Sequence, residues 1–494
     1  MGKRKTSISE KTPIAGPEAF QHLLNAEEYQ KLIDSIEQPL SPSIRVNPLK
    51  VDVQQSIERW AGYYGWKTRS VPYCATGWWI DHGNTPVSQT WEHRLGDYYI
   101  QDAASMLPAE LFDFPLPPEA QVLDMAASPG GKTTHLASRL NDHALIIAND
   151  SSTSRLTALR LILQNWGTVN VGITHYPGEQ LGGLCPAVFD AVLLDAPCSM
   201  QGLRSAESHP IRAITPREQS DLAMRQQRLL ESAVLATREG GQIVYSTCTL
   251  APLEDEGVVD AVLKRFGSSL QLEDVSYRLP VEAQGISRDG DTIYLDEVRK
   301  TARIWPHVFG TAGFFAARFT RLQTTRSEPG IALTKTKGLP GTILTDRQIK
   351  VICDQWMNDF GFDLDKVLEE YHLGLVQQGR EIIAVPFAIL QNILPLTILS
   401  CGLPMAEINP DGYLPFHEWL TRFESQFHTS RYNIPIDQVT SWLRGSDIPG
   451  KPAGSFSNRQ LVLTMDERGR YLGLAKILKD RLKNLLPRRV VANW

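Results

Sequence analysis

The chain has 494 residues, 42% hydrophobic and 21% charged with 11 Trp, which excludes a single core and a disordered or fibrous chain and leaves room for two or three packed domains. Its formal net charge of −5 excludes a global positive field, so any nucleic-acid binding must come from local basic patches. The six cysteines, Cys74, Cys185, Cys198, Cys248, Cys353 and Cys401, show no C-x-x-C pair and no Cys/His cluster, which argues against a zinc site or a disulfide framework.

The opening MGKRKTSISEKTPIAGPEAF is basic and polar with no apolar stretch behind it, so neither a signal peptide nor a membrane anchor is expected, and the chain should stay in the cytoplasm. SIRVNPLKVD, the helix-like QQSIERWAGYYG and GWWIDHG then predict a small α/β module over residues 1–95, and YYIQDAASMLPAELF joins it to a larger unit. From 96 to 322, continuous apolar runs alternate with helical segments. QVLDMAA, ALIIAND, VNVGIT, DAVLLDAPC, GGQIVYSTC and AGFFAARF read as strands buried on both faces, the mark of a doubly wound, Rossmann-like α/β sheet. Between them, Leu156, Leu159, Leu163 and Trp166 recur at helical spacing, and REQSDLAMRQQRLLESAVLATREGG reads as a long helix closed by a glycine pair. Residues 323–345, rich in Thr, Gly, Pro and Lys, read as a linker. The remaining 346–494 ends in a strand, a turn and a basic helix. Arg468 to Arg489 holds eight Lys or Arg and one acidic residue, Asp480, enough to contact phosphates.

The chemistry concentrates at the carboxyl ends of the α/β strands, where such sheets bind ligands. After VLDM, the turn Ala126, Ala127, Ser128, Pro129, Gly130, Gly131 and Lys132 opens a helix, and the glycine pair lets a ligand approach the backbone. Asp150 closes the second strand and is placed to accept both ribose hydroxyls of an adenosyl group, or else to cap the next helix. No G-x-x-x-x-G-K-[ST] loop is present, so S-adenosylmethionine, which carries no phosphate, fits better than ATP or NAD. Asp195, Pro197 and Cys198 end the fourth strand, and Thr247 and Cys248 the fifth, which puts two thiols on the cofactor's rim. Methylation of a cytosine at carbon 5 needs such a thiol, because addition to carbon 6 makes carbon 5 nucleophilic. Asp195 is the group placed to supply an acid near ring nitrogen 3. Residue chemistry leaves open which cysteine attacks, and a DNA cytosine methyltransferase would use Cys198. His135, His175 and His209 show no ligand spacing and read as structural.

LDMAASPGGKTT, DAPCS and YSTCTL, in this order, resemble the RNA cytosine-C5 methyltransferases of the Nop2/Sun and Fmu type. The resemblance implies that Cys248 attacks and that Cys198 assists product release. SIRVNPLK, YYIQDAASMLP, GFFAARF and LGLAKILKDRLKN extend it to the bacterial F class acting on 16S ribosomal RNA. It further implies a substrate cytosine in the decoding region of the 30S subunit, an RNA-binding N-terminal module, a PUA-like RNA-binding C-terminal region, and a monomer with no metal. The family's rivals are a transfer-RNA methyltransferase and an RNA-binding assembly factor without catalysis. Three places depart from the family pattern. Pro177 stands where an Asp reaches the adenine amino group, with Glu179 nearby as a substitute; Met200 and Gln201 precede Gly202; and the basic residues after them are thinned to Arg204.

Overall fold

The computed structural model describes residues 16–117, 119–202, 213–323, 340–391, 394–450, 454 and 456–491. The extreme N-terminus, Arg204, His209 and most of the expected linker lie outside them. Near the N-terminus, β1 (Ser43–Val46), β2 (Lys67–Ser70), β3 (Gly77–Asp81) and β4 (Tyr98–Ile100) form an antiparallel sheet in the order β2-β3-β1-β4. Helix α1 (Ala26–Ile36) starts on a capping box between Asn25 and Glu28, and α2 (Val53–Tyr64) is capped by Asp52 and closed by Gly65 at φ 68°. Two short helices, α3 (Trp91–Leu95) and α4 (Leu107–Glu110), lead into the next unit. Ile57 and Trp60 of α2 pack on Ile44, Val46, Ile80 and Tyr98. The module differs from the expected 1–95 at both ends. Strand β4 completes its sheet beyond residue 95, whereas Phe20 and Leu32 pack instead on Leu250, next to the cysteine strand of the central unit.

The central sheet contains β5 (Gln121–Asp124), β6 (Leu145–Asn149), β7 (Val171–Thr174), β8 (Phe189–Asp195), β9 (Thr237–Thr247), β10 (Leu270–Glu273) and β14 (Phe314–Arg321), in the order β10-β14-β9-β8-β5-β6-β7. A hairpin, β11 (Arg288–Asp289) and β12 (Thr292–Ile293), precedes β13 (Ala302–Ile304), which pairs with β14. Strands β5 to β9 run parallel, so the continuous apolar runs are buried under helices on both faces. These are α5 (Gly131–Arg139), α6 (Thr153–Trp166), α7 (Gly178–Leu184), α8 (Pro216–Ala236) and α9 (Glu256–Phe266), with the one-turn α10 (Pro306–Phe309) further on. Leu159, Leu163 and Trp166 are buried as their spacing predicts, and Leu156 packs beside them. The chain moves outward from β5 through β6 to β7, then returns to β8 on the other side of β5. The crevice at that reversal, between the ends of β5 and β8, is where a ligand belongs.

The C-terminal part contributes two further sheets. One holds β15 (Thr342–Ile343), β16 (Leu373–Gln378), β17 (Glu381–Pro386), β19 (Leu403–Asn409) and β20 (Gly412–Pro415). Between β17 and β19, the short β18 (Ser400–Cys401) leaves to pair with β7 of the central sheet. The other sheet holds β21 (Arg431–Asn433), β22 (Ile448–Pro449), β23 (Leu461–Met465), β24 (Tyr471–Ile477) and β25 (Arg481–Asn484).

Two expectations need correction. The basic helix at the end is strand β25, because Leu482 is buried between exposed or half-buried neighbours, a two-residue period that suits a sheet. The linker's tail is strand β15, paired to β16. The basic run is also less free than its charge count suggests. Arg470, Lys476, Arg481 and Arg489 are held by Asp466, Asp411, Asp447 and Glu418. Among the described residues, no helix is long and apolar enough to cross a membrane.

Candidate active site

The turn after β5 is shaped by its neighbours. Gly130 has φ 120°, and a Cβ on Gly131 would lie 2.8 Å from the Tyr99 ring, so neither position accepts a side chain without displacement. Arg45 of the N-terminal module, fully buried, donates to the Gly131 carbonyl at 2.9 Å and to Thr134 Oγ1 at 2.6 Å. The Ala127 N–H donates to the Asn149 carbonyl at 2.8 Å, and Arg155 donates to the Ser128 carbonyl at 2.6 Å. The turn is thereby fixed before any ligand arrives.

Ser152, not Asp150, is the N-cap of α6, and Asp150 is held by backbone N–H groups on both carboxylate oxygens. Its Oδ1 accepts the Ser152 N–H at 2.8 Å beside the start of α6, and its Oδ2 accepts the Ser128 N–H at 3.2 Å. It also lines a cleft of about 310 Å³ together with Met125, Ala126, Ser128, Gly178, Leu229, Asp195, Cys198 and Cys248. Each carboxylate oxygen keeps a second lone pair for a hydroxyl. Met125 and Leu229 give the cleft apolar walls, and its two arginines are engaged, Arg155 by Ser128 and Asp150 and Arg225 by Glu179. Fixed acceptors, an apolar wall and, among the described residues, no free arginine for a phosphate suit an adenosyl sulfonium.

Lys132, at the first turn of α5, points to Asp195 at the end of β8. Its Nζ lies 2.7 Å from Asp195 Oδ2, while Ser246 donates to Oδ1 at 2.7 Å. Burial is the strongest single influence and works against the Lys132 ammonium, but Asp195, together with Cys248 and Asp124, brings the net shift upward. The pair joins a fixed cation to a carboxylate that is already accepting on both oxygens.

Beside this pair, Cys198 Sγ and Cys248 Sγ are 3.2 Å apart. The hydrogen bond from Cys198 holds Cys248 below the ordinary thiol range; burial and Asp195 oppose that shift and Lys132 reinforces it. The same bond drives Cys198 well upward, aided by burial and by the charge of Glu254. Lys132 favours charge on Cys248 and Glu254 disfavours it on Cys198, so the site favours the charged form on Cys248 over Cys198. The electrostatics thus separate two residues that chemistry alone left equivalent.

Both cysteines rest on groups that sequence reasoning missed. Thr247 donates to Asp255 Oδ1 at 2.6 Å. Arg303, wholly buried, pairs with Glu256 and Asp255 and donates to the Leu250 carbonyl at 2.8 Å. Glu254 accepts the Ser199 N–H and Gln226, each at 2.9 Å, and Gln226 also holds the Pro197 carbonyl. The acidic run LEDE after the cysteine strand was the available signal, but its buried partner lies 47 residues further on.

Pro177 precedes the first turn of α7, and Gly178 after it lines the cleft. Glu179 is bound to Arg225 Nε at 2.9 Å. Met200 has φ 59° and is 54% exposed at the cleft's edge, whereas Gln201 is buried. His175 bonds the Asp150 carbonyl at 2.8 Å, so it supports the acidic residue. His135 is fully buried, 2.9 Å from Glu110 and 3.8 Å from Cys74. Sequence spacing hid this cluster, which folding assembles from both units. Burial lowers His135 to about 4 and raises Cys74 to about 12, leaving both neutral.

A family model described as 16S rRNA methyltransferase RsmB/F matches residues 115–320, and one described as the N-terminal domain of 16S rRNA methyltransferase RsmF matches residues 17–103. The ribosomal RNA small subunit methyltransferase F of Erwinia tasmaniensis is 32% identical over 491 residues, which cover 97% of this chain and 96% of that protein. The protein of the same name from Escherichia coli strain SE11 is 31% identical over 480 residues, 96% of this chain and 94% of its own. Among solved structures, a methyltransferase homolog protein from Pyrococcus horikoshii is 32% identical with a TM-score of 0.53, over 62% of this chain and 93% of that one. NSun6 from Pyrococcus horikoshii, solved with SFG, shares the fold at 23% identity and a TM-score of 0.53 over 62% of this chain and 97% of that one. With its glycine turn, acidic acceptor and paired thiols on one rim, the chain belongs to the ribosomal RNA small subunit methyltransferase F family, whose members depend on S-adenosylmethionine.

Proposed function

We propose that the chain methylates carbon 5 of one cytosine in 16S ribosomal RNA, in the decoding region of the 30S subunit, through a covalent bond between Cys248 and the base. The observation that carries this reading is the thiol pair, 3.2 Å apart and oppositely polarised, on the rim of the cofactor cleft beside Lys132 and Asp195. Asp150 would hold the ribose of S-adenosylmethionine, the turn from Ala126 to Gly131 would cradle its methionine end, and the bound cofactor supplies an electrophilic methyl group.

Cys248, as thiolate, adds to carbon 6 and forms a carbon–sulfur bond while ring nitrogen 3 takes a proton. That proton comes through Asp195 from Lys132, whose ammonium is the only proton donor of the pair at the start. This refines the acid assigned to Asp195 alone: a carboxylate that accepts from both Lys132 and Ser246 is a relay, and the lysine is the reservoir. Carbon 5, now enamine-like, is methylated. Once Cys248 is a thioether, Cys198 no longer donates to a thiolate; it loses its proton to solvent and, as a thiolate, takes the one on carbon 5. Elimination then expels Cys248, and nitrogen 3 returns its proton to the Lys132–Asp195 pair.

The N-terminal sheet and a PUA-like C-terminal region would grip the RNA on either side of the central unit. A substrate of that bulk favours a monomer working in the cytoplasm, where ribosomal subunits are assembled. The test uses labelled S-adenosylmethionine with 30S subunits from cells lacking the gene, with transfer RNA and duplex DNA as controls. Wild type should give methylcytosine in 16S RNA only, Cys248→Ser none, and Cys198→Ser a protein–RNA adduct that persists in denaturant. An adduct with Cys248→Ser, or transfer to the controls alone, would overturn the reading.

A further inference from the structure

The same two sulfurs carry a second chemistry that methyl transfer does not use. We infer that Cys198 and Cys248 form a reversible disulfide when the enzyme meets a hydroperoxide, so that the catalytic pair is also an oxidation site that switches methylation off. The disulfide needs only the pairing of the two thiols; its consequence, loss of methylation, rests on the reading of Cys248 as nucleophile.

The sulfurs stand 3.2 Å apart, already inside van der Waals contact, and a disulfide needs about 2.05 Å. Each sulfur therefore has to move only about half an ångström, within the reach of a small χ1 adjustment. Cys248 directly follows β9 and Cys198 lies three residues beyond β8; the paired strand ends hold Leu194 against Tyr245 and Asp195 against Ser246, and Gln226 and Glu254 bind the Pro197 carbonyl and the Ser199 N–H on either side of Cys198. The backbone that sets their spacing is therefore fixed. Both thiols also line the open cleft, which gives a small oxidant a path to them.

Reactivity follows from which sulfur is charged. Peroxides react with thiolates, and of the two sulfurs Cys248 is the one whose charged form the site favours. Its sulfur attacks one peroxide oxygen and breaks the oxygen–oxygen bond, leaving a sulfenic acid on Cys248 and releasing hydroxide or alkoxide, which takes a proton. Cys248 then no longer offers a negative charge to Cys198. The hydrogen bond that did most to keep Cys198 protonated disappears, and the Cys198 thiol attacks the sulfenic sulfur as its proton passes to the departing hydroxide. The sulfur–sulfur bond forms as hydroxide leaves and is protonated to water. In sum, two thiols lose two electrons and two protons, and hydrogen peroxide is reduced to two waters. A small dithiol restores the pair by exchange through a mixed disulfide.

Cys74, Cys185, Cys353 and Cys401 provide the internal comparison. All four are buried. Cys74, Cys185 and Cys401 have their pKa raised to about 12 chiefly by desolvation, and Cys353 is likewise pushed up to about 12. They stay reduced under the same dose. The second active-site thiol also protects the first, because a nearby resolving cysteine captures the sulfenic acid before further peroxide can carry it to the irreversible sulfinic state.

The experiment treats the purified full-length protein with hydrogen peroxide, blocks residual thiols with an alkylating agent, and maps peptides by mass spectrometry before and after reduction. The expected result is one cross-linked species joining the Cys198 and Cys248 peptides, with the other four cysteines alkylated. Methyl transfer to 30S subunits should be lost in step with that species and recovered on adding dithiothreitol. In Cys198→Ser the same dose should give sulfinic acid on Cys248, which the reductant does not reverse. Sulfinic acid on Cys248 in wild type, with no cross-linked peptide at any dose, would overturn the inference. Because the peptide map reads the thiols directly, a disulfide found in a protein that methylates none of the RNAs offered would instead refute the proposed function and leave the oxidation site standing.

Discussion

Cys198→Ala isolates what the neighbouring thiol does for the nucleophile. If Cys198 donates to a charged Cys248 across the 3.2 Å contact, that hydrogen bond is worth about 1.5–3 kcal/mol. At about 1.36 kcal/mol per pKa unit, its removal should raise the Cys248 titration by about one to two units. Lys132 remains, so the thiol does not lose all its stabilisation. Below the wild-type midpoint, the thiolate fraction should therefore fall by about ten- to a hundredfold. The assay is the rate of alkylation by iodoacetamide at the Cys248 peptide, followed across pH by mass spectrometry. Cys198→Ser, which retains a hydroxyl donor, should shift less than Cys198→Ala. A midpoint that stays put or moves down in Cys198→Ala would refute the reasoning: Cys198 would then not be the donor, and the assignment of thiolate and thiol would have to be exchanged.

Lys132→Met should lower methyl transfer by about a hundredfold or more, the scale of a lost acid, with little change in cofactor affinity measured by calorimetry. A large loss of affinity with an unchanged rate would instead put Lys132 on the cofactor. Asp150→Asn should weaken S-adenosylmethionine binding by about tenfold or more, since a charged acceptor for hydroxyls is replaced by a neutral one; unchanged affinity would leave Asp150 as a support of the turn only. For His135, burial lowers the folded pKa to about 4, below the ordinary value near 6.5. The unfolded chain therefore takes up the proton first as pH falls. Stability is full above about pH 6.5 and is lost between there and about pH 4, by about 3 kcal/mol from this group. Thermal unfolding should fall less steeply over that window in His135→Gln, and an unchanged slope would show that other groups set the acid limit.

What was legible in the sequence was local. The strands from β5 to β9 announce themselves as uninterrupted apolar runs, and the turn with Gly130 and Gly131, Asp150 and Cys248 each follow such a run directly, with Cys198 three residues past another. What was not legible depends on distance along the chain. Lys132 finds Asp195 63 residues away. Arg303 finds Glu256 after 47, and Arg45 reaches the glycine turn from a different unit. A charged residue read in isolation looks like a solvated one, because nothing beside it signals that it will be buried with a partner. Strand β25 failed for another reason. Arg481 and Lys483 flank Leu482 with good helix formers, so local propensity favoured a helix where pairing with β24 and burial of Leu482 chose a strand.

Strand β18 has a consequence for how the chain is made. It covers the edge of β7, with the Leu399 and Gly402 N–H groups donating to the Ile173 and Val171 carbonyls at 2.8 Å each. During synthesis, Thr174 leaves the ribosome long before Cys401. At about 5–20 residues per second, the interval between them is on the order of 10–50 s. For that time β7 has no partner for its outer edge of Val, Gly, Ile and Thr, the kind of edge that recruits foreign strands. A truncation ending before residue 399 would leave it permanently open, and such a fragment should aggregate even though every residue of the catalytic cleft is present.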